Sequence, residues 1–280
     1  MIDERTTLTG TLLRKGERSK VPEAVVGGAY LRTDKGEDAE PIAITNELRT
    51  VLMVADGLGG AGNARVQLAD GTVTTEAYLA AHGLRQKLFD LATNEMTLPK
   101  YDRASQLAQW VQSSVIMPLM ESLNEQFPRG DKTIKGSIRK RFPTTLSMAV
   151  VENRDIIRRV NVVWAGDSIC VVMSRDNIWT NFQADAGDAP MRDLVDVRAA
   201  LPKSQSIEVA TEIPLVVACF TDGLLLLNNF EEIKRLLLET AKSGEPDVMK
   251  KFKELLYKTP VESGLDDTTI AMATFGKWSA

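Results

Sequence analysis

The sequence predicts an α+β domain in which β-sheets pack on one another and helices cover the outside. Three observations predict it. The apolar segments run in the order strands, two helices, strands, two helices, strand, which is not the strict βαβ alternation of a doubly wound parallel sheet. Strand candidates such as Val51–Ala55 are continuous apolar runs, as strands buried on both faces require. The chain has 280 residues, 44% hydrophobic and 26% charged, enough apolar mass for one large core without staples. No Pro/Gly/Ser linker divides it, so residues 23–280 read as a single domain and residues 1–22 as an N-terminal extension or first strand.

Val25–Leu31 and Pro41–Thr45 read as short strands around a polar turn at Asp34–Asp38. Val51–Ala55 is a buried strand closed by the turn Asp56-Gly57. Ala77, Ala81, Leu84, Leu88 and Leu91 recur at helical spacing within Thr75–Leu91. Leu107, Val111, Val115, Leu119, Leu123 and Phe127 mark a second long helix, which Pro118 kinks. Thr144–Val151, Ile156–Trp164, Ile169–Met173 and Leu215–Phe220 are strand-like, with a hairpin gap at Glu152-Asn153-Arg154-Asp155. Phe230, Ile233 and Leu237 mark a third helix, capped by Asn228 or Asn229, with Glu231 and Glu232 in its first turn. Met249, Phe252 and Leu256 mark a fourth after Pro246, and Thr268–Phe275 is the closing strand.

Thirty-four Lys and Arg against 38 Asp and Glu give a net charge of −4, which argues against a general nucleic-acid binder. The two cysteines, Cys170 and Cys219, lie in apolar stretches and read as buried reduced thiols. No signal-like segment opens the chain and no apolar run reaches the ~18 residues of a membrane span, so the expected location is the cytoplasm.

The chemistry-bearing feature is a set of aspartates at strand ends. Val51–Ala55 ends in Asp56-Gly57, Val216–Thr221 ends in Asp222-Gly223, and Gly264-Leu265-Asp266-Asp267 opens the last strand. Glu37-Asp38 lies between the first two strands. Aspartate is a poor strand former, but a strand end holds it rigidly toward a cleft. Converging carboxylates repel unless cations lie between them, and all-oxygen sites prefer hard divalent ions such as magnesium or manganese. Two such ions roughly 3.5–4 Å apart activate a water for in-line displacement at phosphorus. For any single Asp-Gly, an ordinary turn explains the residues equally well. Gly57–Gly62 also satisfies G-x-G-x-x-G, but Ala69-Asp70-Gly71 reads as another turn where a dinucleotide fold needs a helix.

Taken in order, these segments resemble the metal-dependent type-2C protein phosphatases, the PPM family, from about Gly27 to Phe275. Gly36-Glu37-Asp38-Ala39 resembles N-E-D-[AS], Val54–Gly60 resembles V-x-D-G-x-G-G, and Pro143–Leu146 resembles G-T-T-L. Trp164–Ser168 resembles the start of A-x-x-G-D-S-R, Phe220–Leu224 resembles [ST]-D-G-L, and Leu265–Ile270 resembles D-N-x-T-[VI]. The resemblance implies a four-layer α-β-β-α sandwich, two central and mainly antiparallel sheets flanked by helices, with the metals at one end of the β core. It implies that Asp56 bridges two Mn2+ or Mg2+ ions and that Gly57 lends its carbonyl. Asp222 and Asp266 would hold one ion, Asp38 with Glu37 would serve the other, and Asp167 would belong to a third, weaker site. Asp56, Asp222 and Asp266 are thus the expected catalytic carboxylates.

The chain departs from the family in places. The His usual after Asp-Gly-x-Gly-Gly is Ala61, and the one histidine, His82, falls in the first predicted helix as a surface or packing residue. The family's phosphate-binding Arg position holds Thr33, with Arg32 one place off as the candidate substrate-binding residue. Leu226 replaces a ligand of the third metal, Ile169 replaces the Arg of Gly-Asp-Ser-Arg, and Asp267 replaces the usual Asn, adding negative charge. With these carboxylates retained, the resemblance implies a phosphoserine/phosphothreonine protein phosphatase that hydrolyses phosphomonoesters through a metal-bridging water. Its partner would be a phosphoprotein substrate, opposite a Ser/Thr kinase. The departures define the alternative, a catalytically weak phosphatase-like module that binds a phosphoprotein or regulates a kinase. Arg175–Ser206 reads as a variable flap or a surface excursion, and the basic stretch Arg129–Arg141 as a solvated loop.

Overall fold

The computed structural model describes residues 24–31, 36–45, 49–58, 64–93, 101–128, 141–181, 195, 201–227, 230–243 and 267–278. Two five-stranded sheets dominate. In spatial order the first contains β1 (Ala24–Leu31), β12 (Thr268–Phe275), β11 (Leu215–Phe220), β8 (Ile169–Ser174) and β9 (Ile178–Thr180). The second contains β10 (Lys203–Ala210), β7 (Ile157–Ala165), β6 (Leu146–Arg154), β3 (Arg49–Val54) and β2 (Ile42–Thr45). Every pairing within them is antiparallel. A small hairpin, β4 (Arg65–Gln67) and β5 (Val73–Thr75), stands apart. The helices are α1 (Glu76–Thr93), α2 (Ala104–Val111), α3 (Met117–Gln126), α4 (Gly223–Leu227) and α5 (Phe230–Ser243).

Alternate side chains on each central strand serve two different cores. Between the sheets, Leu52, Val54, Val151 and Val162 meet Val172, Val217, Ala273 and Phe275. On the outer face of the second sheet, Val51, Met53, Met148 and Val150 pack under Leu84 and Leu88 of α1, Leu107 of α2 and Leu119 of α3. On the outer face of the first sheet, Val171, Met173, Val216 and Met272 pack under Ile233 and Leu237 of α5. This is the expected α-β-β-α sandwich, and it explains the uninterrupted runs. A strand covered on both faces has no polar side to show, and each buried large aliphatic contributes roughly 1.5–3 kcal/mol.

The Pro118 expectation has a specific resolution. Between α2 and α3 the helix widens into a π-turn, Gln112–Ile116, in which the Met117 N–H donates to the Gln112 carbonyl, five residues back. Proline lacks the N–H that would answer Ser114 and its ring crowds that carbonyl, so the widened turn absorbs both effects.

Other elements differ from the sequence reading. The 175–206 stretch is not one excursion: Ile178–Thr180 is edge strand β9, and β10 begins at Lys203. Strand β10 alternates in its second half, with Ile207 and Val209 packed toward the inter-sheet core and Ser206 and Glu208 exposed, so it reads as polar in sequence. The gap at residues 152–155 is shorter than expected, because β6 runs through Arg154 and only Asp155-Ile156 turn. Charges are tolerated there because they pair. Arg159 bonds Glu208, and fully buried Arg158 donates to the carbonyls of Thr211 and Ile213. The predicted helix at Met249–Leu256 and the Asn228 and Asn229 caps lie outside the described residues. Cys170 and Cys219 stand opposite each other on β8 and β11 as free, buried thiols, and burial pushes the Cys170 thiol up. Among the described residues, no helix is long and apolar enough to cross a membrane.

Candidate metal centre

The sheet registers bring the acidic strand ends to one edge of the sandwich. In the second sheet Val54 pairs with Ser147 and Leu146 with Ala165, so Asp56, Thr145 and Asp167 follow or precede the same sheet end. In the first, Phe220 pairs with both Ile169 and Ile270, which places Thr221, Asp222, Ser168 and Asp267 there as well.

Asp56 is held through its backbone. Its carbonyl accepts from the Thr145 N–H (2.8 Å) and the Thr144 Oγ1 (2.8 Å), and its N–H donates to Thr145 Oγ1 (3.1 Å). Thr145 Oγ1 also shares a hydrogen bond with Ser168 Oγ, which ties the Gly166-Asp167-Ser168 turn to Asp56. Gly57 has no room for a side chain. A Cβ there would sit 2.8 Å from Glu37 Cβ and 2.9 Å from the Ala77 carbonyl oxygen. Its backbone bridges Thr144 instead, and this close approach is the physical reason that Asp56 is followed by glycine.

Asp38 is the most enclosed of the described carboxyls at this edge, 1% exposed. Its Oδ2 accepts from Thr221 Oγ1 (2.9 Å) and Thr269 Oγ1 (2.8 Å), and the Thr269 N–H in turn donates to Thr221 Oγ1. Burial, with the Asp267 carboxylate adding to it, pushes the Asp38 pKa up to about 7, although hydrogen bonds from Asp56, Thr269 and Thr221 pull the other way. The Asp56 carboxyl interacts with the Asp38 carboxyl, an arrangement that a proton or a cation between the two favours. Glu37 is half-buried and its Oε1 accepts from Thr75 Oγ1, just before α1. Asp267 Oδ2 accepts from the N–H groups of Glu37 (2.6 Å) and Asp38 (3.3 Å).

Asp222 is half-buried at the start of α4, its carbonyl accepting from the Leu225 N–H. Asp167 is half-buried, with one carboxylate oxygen shielded from solvent. Arg32, Ala61 and Asp266 lie outside the described residues. His82 is half-buried on α1, stacked on Tyr78 (3.9 Å between centroids) with Nδ1 3.6 Å from Glu40 Oε2, as a packing residue would be. Sequence reasoning missed the positioning side chains Thr145, Ser168, Thr221 and Thr269. They stand within the quoted motifs, yet their partners are far away in sequence.

The donor chemistry fits a hard divalent cation. A buried carboxyl kept from ionising and pressed against a second carboxyl is relieved by positive charge, and its oxygens are hard. Among the described residues, no three His, Cys, Asp or Glu side chains already converge as a metal cage. The carboxyls that do meet are Asp38 and Asp56, with Asp267 adjoining.

Solved structures share this fold. Serine/threonine phosphatase Stp1 from Staphylococcus aureus is 17% identical, with a TM-score of 0.57 covering 94% of this chain and 98% of that one. The catalytic domain of serine/threonine protein phosphatase PstP, solved with two manganese ions, is 14% identical, with a TM-score of 0.56 covering 92% and 99%. RsbX, solved with magnesium, is 12% identical, with a TM-score of 0.53 covering 93% and 98%. No curated protein matches the sequence. The family profile described as protein phosphatase 2C matches residues 33–257. With the profile spanning most of its length, this chain belongs to the protein phosphatase 2C family.

Proposed function

We propose that this chain is a metal-dependent phosphoserine/phosphothreonine protein phosphatase. The observation that carries the reading is the enclosed Asp38 carboxyl, oriented by two threonines against Asp56 at the sheet end where the other strand-end acids gather. Asp56 would bridge two ions, with the Gly57 carbonyl and the Glu37-Asp38 pair serving one, and Asp222 and Asp266 the other. Asp167 would serve a third ion, which Leu226 leaves without its usual carboxylate. When bound, manganese or magnesium supplies a water activated for attack at phosphorus and charge to steady the displaced oxygen. PstP with two manganese ions and RsbX with magnesium support this choice of ion.

The chain's own residues position the reaction. Thr144 and Thr145 fix Asp56, Thr221 and Thr269 fix Asp38, and Arg32 is assigned to the phosphate oxygens. With Ala61 at the usual His position, the leaving serine or threonine oxygen takes its proton from solvent. A general acid is typically worth about 10²–10⁴-fold, so turnover is slow. The substrate class is a phosphoprotein in the cytoplasm, phosphorylated by a Ser/Thr kinase. Hydrolysis of p-nitrophenyl phosphate with and without manganese tests the reading. Activity abolished by chelator and by Asp222→Asn supports it. Manganese binding without turnover of any phosphomonoester replaces it with the weak binding module that Ala61 also permits.

A further inference from the structure

We infer that Asp267 is a charge-supplying positioning residue: it braces the Glu37-Asp38 backbone, and its negative charge sets how tightly the cup holds divalent cations. The inference rests on the metal reading above. Asp267 Oδ2 accepts from two successive amide N–H groups, Glu37 at 2.6 Å and Asp38 at 3.3 Å, across some 230 positions of sequence. Successive N–H groups of this kind form a small anion-binding concavity. An asparagine oxygen would accept the same two bonds, so the hydrogen bonding alone does not call for a carboxylate.

The carboxylate costs something. Asp267 is 7% exposed and Asp38 is 1% exposed, so two acids share a water-poor cup. Like charges there destabilise each other, and without a cation that repulsion offsets what the carboxylate gains from its two N–H donors. A divalent ion reverses the sign of that contribution, because the same carboxylate then attracts it. Brace and charge are therefore separable functions of one side chain. Asp267→Asn removes the charge and keeps an acceptor; Asp267→Ala removes both.

The test is manganese titration by calorimetry and thermal unfolding in chelator, on wild type, Asp267→Asn and Asp267→Ala. Without metal, Asp267→Asn is expected to melt above wild type, and Asp267→Ala below Asp267→Asn. Manganese binding by Asp267→Asn is expected to weaken about tenfold or more, from Coulomb attraction at the effective dielectric of a protein interior. A purely structural role would not move stability and affinity in opposite directions. Equal manganese affinity in wild type and Asp267→Asn overturns the inference. So does an Asp267→Asn chain that melts lower without metal or fails to fold, since the amide retains the acceptor. If wild type itself takes up no manganese, the metal reading fails first, and that outcome is visible before any variant is compared.

Discussion

Replacing Asp38 by asparagine should stabilise the metal-free protein at alkaline pH. The carboxyl titrates near 3.8 when solvated and is pushed up to about 7 in the fold, chiefly by burial and then by Asp267. That displacement corresponds to roughly 4 kcal/mol of ionisation free energy. The sign follows from proton binding: the folded state holds this proton more tightly than the unfolded state. The associated stability is complete below about pH 4 and is lost as pH rises through about 7. An asparagine has no proton to lose, and its oxygen still accepts from Thr221 and Thr269. Thermal unfolding in chelator from pH 5 to 8 is the assay. Wild type should lose stability across the window, and Asp38→Asn should stay flatter and finish higher at pH 8. At about 2–4 °C per kcal/mol for a large domain, several degrees separate them. Manganese should then raise the melting temperature of wild type more than that of the variant. Superimposable melting profiles in chelator, or a variant less stable at pH 8, would refute the reasoning.

Three further perturbations probe the support of the cup. Thr145→Val leaves the Asp56 N–H and Ser168 Oγ without their shared partner, and should cost about 1–3 kcal/mol in denaturant unfolding; Thr145→Ser should restore most of it. Gly223→Ala places a Cβ 2.0 Å from the Asp267 carbonyl oxygen, so backbone must move. It should destabilise by about 1–3 kcal/mol or more and weaken manganese uptake, read by unfolding and calorimetry. Arg141→Ala strips Glu76, 7% exposed, of its partner and breaks bonds to Asn124 and the Phe127 carbonyl. It should cost about 3 kcal/mol, measured by urea unfolding, with Glu76→Gln in the same background recovering part of the loss.

The layering and the position of the acids along the chain are legible from local residue patterns. Val51–Val54 and Leu215–Phe220 had to be apolar on both faces because each lies between a sheet and a helix layer, and such a run is visible without any partner. The acids had to interrupt those runs, so Asp56 and Asp222 stand out at the ends. Edge strand β10 was hidden, because an edge keeps polar residues on one side and its apolar residues are too few to show a pattern. The grip on each carboxyl was hidden for another reason. Thr145 reaches Asp56 across 89 positions, Thr221 reaches Asp38 across 183 and Thr269 across 231, and the Asp267 bond to Glu37 spans 230. Hydrogen bonds act over about 3 Å, so only the tertiary structure could decide which distant groups meet at that range and which carboxyl loses its water.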